Sequence, residues 1–423
     1  MAVPDGQAPH QARVAGEEPA QVIVKPFTGA AQSGTFTEAQ RRIAFLTPEF
    51  PTEKVGAGGV GNYVDKMSNL LAAAGHDVTV FVTSSASGTV YRDGVTVVRV
   101  PSTRSVVWRG LSRLLKRIDV GGGELPLHLA NARSLAKALS SEHQRRPFDL
   151  VQSANYHLVG LYVPKAARRK HLVRISTSRI LYDPAYGRAP GPLTRLTERL
   201  DVRTQRRADG AYAPSRLLQR YFQDTYGHTV AVLRPPMPTD VANRGELPTN
   251  ITPPYLVHFG SLGARKGTDV VSDALPIAWR SEPDLRMVFV GPFSPTNRER
   301  FTSNWGQQAD QVLLLGPLDK SSLYAVVAGA AASVLPSRMD NLPNTVIESL
   351  ALGTPVIGSD GASIDELVTP GSNGVLVPIG DAKALAEAMV AAYRGELAGM
   401  QVGVPADMEP AVALEGLFSL MRS

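Results

Sequence analysis

At 423 residues with 43% hydrophobic content, the chain is long enough for two domains that each bury a full core. It contains no cysteine, which excludes disulfides, thiolate metal sites and cysteine nucleophiles. The net charge of +6 divides into −2 over residues 1–40, +15 over 41–240 and −7 over 241–423. The basic stretch suits an anionic partner, or is simply an arginine-rich solvated surface.

Residues 1–40, rich in Ala, Gly, Pro and Gln, read as a poorly ordered leader. The start has no basic-then-apolar signal, and no apolar run approaches the roughly 20 residues of a membrane span. The expectation is a cytoplasmic protein, with peripheral contact at the inner membrane face left open. Regular structure begins with a strand at Ile43–Thr47, followed by a loop from Pro48 to Gly61. A helix (Tyr63, Val64, Met67, Leu70, Leu71) ends at Gly75, and Asp77–Val82 is the next strand, closing a βαβ unit. Val95–Val100 reads as a third strand.

Residues 103–119 place Val107, Trp108, Leu111, Leu114, Leu115 and Ile118 at helical spacing, with Arg109, Arg113, Lys116 and Arg117 opposite. Such a basic amphipathic helix either lies on an anionic membrane or, more commonly, packs against its own core. Strands at Phe148–Gln152 and His171–Ser176 follow, then an Arg-rich helix at Leu193–Arg207 and a strand at Ala211–Ala213. Five prolines within 234–253 mark the linker. The expected division is a domain over 41–235, a linker over 236–253 and a second domain over 254–423. In the second domain Tyr255–Gly260, Leu285–Gly291, Val312–Gly316, Ala331–Leu335 and Thr354–Ile357 read as strands. Helices follow over 380–393 and 408–423, the last able to pack back on the first domain. The fold class is α/β, two doubly wound lobes facing a central cleft.

The most informative stretch is Val334–Glu366. A buried strand leads into a polar turn, Pro336 to Leu342, and then a helix with Pro343 in its first turn and Gly353 just past its end. Asp340 and Glu348 flank the helix start, whose free N–H groups can hold a phosphate. A carboxylate on either side of a phosphate cradle suits a sugar nucleotide. Gly56 to Gly61 fits the dinucleotide pattern, but eight residues separate it from the strand and no acid closes the next strand. We therefore read Gly58 and Gly59 as a turn approaching a ligand phosphate, with a plain connector as the alternative. The turn from Gly260 to Gly267 carries Arg265 and Lys266, which suits a diphosphate or a solvated basic turn.

In order, Pro48-Glu49-Phe50-Pro51 with Gly58 to Gly61, Gly75 to Val78, Ala213-Pro214-Ser215, Gly260 to Gly267, Asp340 with Glu348, Gly353 to Val356, and Glu366 together resemble the GT4 group of retaining glycosyltransferases with the GT-B fold of two Rossmann-like domains. The resemblance implies a metal-independent enzyme without a bound cofactor. It would move a sugar from a UDP- or GDP-sugar to a small-molecule, natural-product or lipid acceptor, and needs no nucleic acid. It implies that Asp340 contacts the donor sugar and Glu348 the ribose. Asn341, Leu342, Asn344 and Thr345 would line the sugar and diphosphate, Lys266 would neutralise the diphosphate with Arg265, and Gly58 and Gly59 would face it. Three departures stand out. The first acid is Asp340 rather than Glu, Ser261 occupies the usual arginine position, and Ser176 the usual histidine position. His157 is the candidate catalytic substitute, with Asn155, Arg174 and Ser176 on the acceptor side. A same-fold epimerase or phosphorylase, or a binding protein that lost its chemistry, are the rival readings.

Overall fold

The computed structural model describes residues 39–53, 58–103, 106–293 and 295–422, with only the backbone of residues 295–297. Nearly all of the expected leader, and Gly56-Ala57 of the glycine run, lie outside the described residues. Residues from Ala39 onward form one compact unit.

The first sheet comprises β1 (Arg42–Thr47), β2 (Asp77–Ser84), β3 (Gly88–Arg92), β4 (Val95–Pro101), β5 (Leu150–Ala154), β6 (Lys170–Arg174), β7 (Gly210–Ala213) and β8 (Ala231–Val232). Their order is β3-β4-β2-β1-β5-β6-β7-β8, parallel except for the β3–β4 hairpin. Its turn is Asp93-Gly94, both at positive φ, as the right-handed twist of a two-residue hairpin demands. Strands β1 and β5 are buried along their whole length because helices cover both faces, which is why they read as continuous apolar runs. The covering helices are α1 (Gly59–Ala73), α2 (Val106–Leu115), α3 (Leu125–Arg145), α4 (Arg179–Tyr182), α5 (Pro192–Arg207) and α6 (Arg216–Tyr226).

The second sheet comprises β9 (Leu256–Phe259), β10 (Met287–Val290), β11 (Val312–Leu315), β12 (Ala332–Leu335), β13 (Val356–Ser359) and β14 (Gly374–Val377). All pairings are parallel, in the order β11-β10-β9-β12-β13-β14. The chain winds outward from β9 to one edge and from β12 to the other, so the switch point lies between β9 and β12. The helices here are α7 (Thr268–Ala278), α8 (Pro295–Thr302), α9 (Lys320–Ala328), α10 (Asn344–Ala351), α11 (Ala382–Tyr393) and α12 (Pro410–Arg422). The last of these returns to the first lobe, where the Phe418 ring lies 5.1 Å from the His76 ring and Gly416 leaves room for Leu233.

Helix α2 corrects the expectation that its apolar side packs inward. Ser112 is its buried residue, 3% exposed, while Val106, Val107 and Leu114 are 77%, 75% and 56% exposed and Ile118, just beyond, 66%. The helix rests on α3 through a small polar side chain and turns its large apolar residues outward. Its far end is fixed by Asp119, which accepts from Gly122 N at 2.8 Å and Thr194 N at 2.7 Å.

Candidate functional site

At the β9/β12 switch point the turns after the two strands lie against each other. Gly267 sits at φ +73°, and a Cβ there would fall 2.0 Å from the Pro336 carbonyl oxygen, so only glycine permits the approach. Arg338 N donates to Arg265 O at 2.9 Å, and Arg265 Nη1 donates to Met339 O at 2.9 Å. Beneath them His258 is buried in β9. Its Nδ1 lies 2.6 Å from Val334 O and its Nε2 2.9 Å from Thr268 Oγ1, which also accepts from Gly263 N. Burial drops the His258 pKa to about 4, so the ring is neutral. A neutral ring fits one tautomer, with Nδ1–H donating to the carbonyl and Nε2 accepting from the Thr268 hydroxyl. His258 thus pins the basic turn, a role sequence reasoning missed because a histidine inside an apolar strand carries no motif.

The two cations converge on one carboxylate. Lys266 Nζ lies 2.5 Å and Arg265 Nη1 3.3 Å from Asp340 Oδ2. Burial pushes the Asp340 carboxyl up, but the two cations outweigh it and hold the group below its usual range. Asp340 Oδ1 accepts from Asn341 N at 3.1 Å. Leu342 then adopts φ +52°, a left-handed conformation costly for a branched side chain, with its N–H donating to Ser363 Oγ at 2.6 Å. Pro343 caps α10 without a side-chain hydrogen bond, and the first turn holds no acid. The helix start is left for a ligand.

Glu348 lies one turn further along α10. Among the described residues none hydrogen-bonds its carboxylate, and burial raises its pKa despite Lys66, Lys320 and Lys266 nearby. Burial likewise lowers the pKa of Lys66, with Glu348 the main opposing charge. An unpartnered half-buried carboxylate facing a lysine across the lobes is an open hydroxyl acceptor. Gly59 at the start of α1 faces α10, its Cβ position 3.9 Å from Asn344 Nδ2. The helix begins at Gly59, not at Gly61. An anion of the protein's own stands there: Glu49 Oε1 accepts from Gly61 N at 3.3 Å and would be 2.7 Å from a Cβ at Gly58. A phosphate at the α1 start must therefore displace Glu49 or bind beside it. Ser261 is exposed and makes no hydrogen bond among the described residues.

The lobes are joined across the cleft by Asn341. Its Nδ2 donates to Ser176 O at 2.8 Å, and Ser215 Oγ donates to its Oδ1 at 2.6 Å. Glu366 accepts from Arg216 N at 2.8 Å and Leu217 N at 2.9 Å, the free donors at the α6 start. On the acceptor side, Asn155 is buried, accepting from Ser176 N at 2.7 Å and donating to Thr177 O and Asp201 Oδ2. Arg174 is also buried, its guanidinium 3.7 Å from the Tyr63 ring centroid and its Nη1 on Ser176 Oγ. Both make their bonds inward. His157 has φ +60° and is stacked between Tyr156 and His128, with ring centroids 3.9 and 4.0 Å away. Burial, then His128 and Arg179, drop its pKa to about 3, leaving a neutral, weakly basic imidazole.

Two Rossmann-like sheets closing on a cationic turn, a helix start and a free carboxylate define a GT-B transferase. Residues 57–241 match the family model described as Glycosyltransferase Family 4, and residues 253–394 that described as Glycosyl transferases group 1. The chain is similar to the D-inositol 3-phosphate glycosyltransferase of Acidothermus cellulolyticus, at 27% identity over 83% of this chain and 82% of that protein. It is 31% identical to the phosphatidyl-myo-inositol mannosyltransferase of Mycobacterium leprae, over 31% of this chain and 35% of that one. Among solved structures, sucrose-phosphate synthase from Thermosynechococcus elongatus superposes with a TM-score of 0.69 at 20% identity, covering 90% of this chain and 98% of that one. The Anabaena protein HepE, solved with UDP and glucose, gives 0.62 at 17% identity, covering 91% of this chain and 100% of that one. The chain belongs to the GT4-type glycosyltransferases of the GT-B fold.

Proposed function

We propose that the enzyme transfers a sugar, with retention of anomeric configuration and without a metal ion, from a UDP- or GDP-sugar to a hydroxyl acceptor that carries negative charge. The observation behind this reading is the grouping of Lys266, Arg265 and the open α10 start on one side of Glu348. Charge grows on the diphosphate as the sugar–phosphate bond breaks, and preplaced cations and helix N–H groups stabilise it. An arriving diphosphate gives Lys266 a second anion, which releases Asp340 Oδ2 to accept from a sugar hydroxyl. Glu348 takes the ribose hydroxyls. The leaving phosphate assists deprotonation of the acceptor, for which the neutral, weakly basic His157 is poorly suited. The basic first lobe and the inositol phosphates in the relatives' names support an anionic acceptor.

A thermal-shift screen of UDP-, GDP-, ADP- and dTDP-sugars tests the donor. A ligand present at 100 times its Kd adds about 2.7 kcal/mol to stability, a shift easily read. Glu348→Gln should lose most of the shift. No response to any nucleotide sugar would overturn the reading.

A further inference from the structure

We propose that a cavity at the N-terminal ends of β6 and β7 is a binding site for a small phosphate monoester, separate from the cleft between the lobes. The cleft lies beyond the carboxyl ends of these strands, at Ser176 and Ser215, whereas the cavity lies before their starts at Lys170 and Gly210. It has a volume of about 300 Å³, and its wall runs along the loop from Gly160 to Arg169 and across to Thr204, Arg207 and Asp209. A Cβ at Gly160 would fall 2.2 Å from Ser153 Oγ, so only glycine lets this loop lie flat on β5.

Arg169 carries the inference. It lines the cavity yet is only 5% exposed. One of its terminal nitrogens, Nη2, donates to Pro164 O, its Nε is buried without a partner, and among the described residues no carboxylate pairs with the guanidinium. Burial disfavours its charge, and Asp209 is the one carboxylate that supports it. Asp209 is engaged elsewhere, its Oδ2 accepting from His171 N at 2.7 Å. Lys165 and Arg207 line the same cavity from exposed positions, and neither is paired among the described residues. His171 adds no charge: its Nε2 lies 2.8 Å from Ser153 Oγ, and burial drops its pKa to about 4. A buried cation without an ion pair is costly, and an anion that reaches it removes the cost. Three cations around one carboxylate suit the double charge and several acceptor oxygens of a phosphate monoester. The recess also selects a terminal phosphate, since a phosphodiester within a nucleic acid strand can reach Lys165 and Arg207 but not Arg169. Leu161, Val163 and Pro164 offer an apolar wall to the organic part of the ligand.

Calorimetry on the full chain tests this with glycerol 3-phosphate as the probe. Binding is expected, with no heat from glycerol or from sodium chloride at equal ionic strength. The double variant Lys165→Gln/Arg207→Gln, at exposed positions that leave the fold intact, should weaken binding at least about tenfold. Arg169→Gln should abolish it, with circular dichroism checking that the variant is folded. Arg220→Gln, exposed on α6 and outside the cavity, should leave Kd unchanged, and so should Lys266→Ala in the cleft. Four outcomes would overturn the proposal. These are no binding by the wild type, wild-type affinity in the Lys165→Gln/Arg207→Gln double variant, equal weakening by Arg220→Gln, or loss of binding in Lys266→Ala. The third would reduce the effect to diffuse attraction, and the fourth would put the anion in the cleft.

Discussion

Removing the Lys266 ammonium separates its two roles. Lys266 Nζ holds Asp340 Oδ2 at 2.5 Å within a mostly buried pair. Breaking a buried pair outright costs about 3–5 kcal/mol, because a carboxylate is left without compensation. Here Arg265 remains 3.3 Å away, so Lys266→Ala should cost between about 1 and 3 kcal/mol and lower Tm by several degrees. The catalytic loss should be larger than that stability cost suggests. Deleting one group that stabilises transition-state charge typically lowers kcat by about 10²–10³. The double variant Lys266→Ala/Asp340→Asn should regain the stability, since no buried charge is stranded, yet remain as slow as the single variant. Calorimetry and steady-state transfer rates on the three proteins decide the matter. Refutation would be a single variant with normal kcat, or a double variant whose activity returns together with its Tm.

Other perturbations test the surroundings of the cleft. Burial lifts the Asp201 carboxyl to about 8, against about 3.9 in the unfolded chain. A raised carboxyl favours folding while protonated, so its contribution is full below about pH 4 and is lost as pH climbs to about 8. Asp201→Asn keeps an oxygen for Asn155 and Gln205 and should flatten the Tm profile between about pH 5 and 8; an unchanged slope would count against a protonated Asp201. Glu366→Ala leaves two α6 amides without their acceptor and should loosen the lobes, seen as a larger radius of gyration in solution scattering and a raised donor KM. Gly267→Ala forces a Cβ against Pro336 O and should destabilise the second lobe by at least about 1–3 kcal/mol, measured by denaturant unfolding.

The sequence by itself determined the strand-helix alternation, because buried parallel strands such as Ile43–Thr47 are continuous apolar runs bounded by polar turns. It also determined the α10 region, where Asp340, Pro343, Glu348 and Gly353 fall on one short strand-turn-helix unit whose geometry is local. Other local signals are weaker. Strand β3 is mostly exposed and lacks a hydrophobic period, although Asp93-Gly94 marks its hairpin. Helix α3 buries Leu135 and Leu139, but the alanines and the polar residue between them blur its period.

Only the tertiary structure decided how distant residues pair. Lys266 reaches Asp340 across 74 positions, and Asn341 reaches Ser176 across 165. Glu49 occupies the helix start that the glycine run alone would leave for a phosphate. The orientation of α2 belongs here too. Periodicity shows that a helix has an apolar side and a basic side, but which side meets solvent depends on the neighbour it packs against. Against α3 that neighbour accepts Ser112, and the apolar stripe is left facing outward.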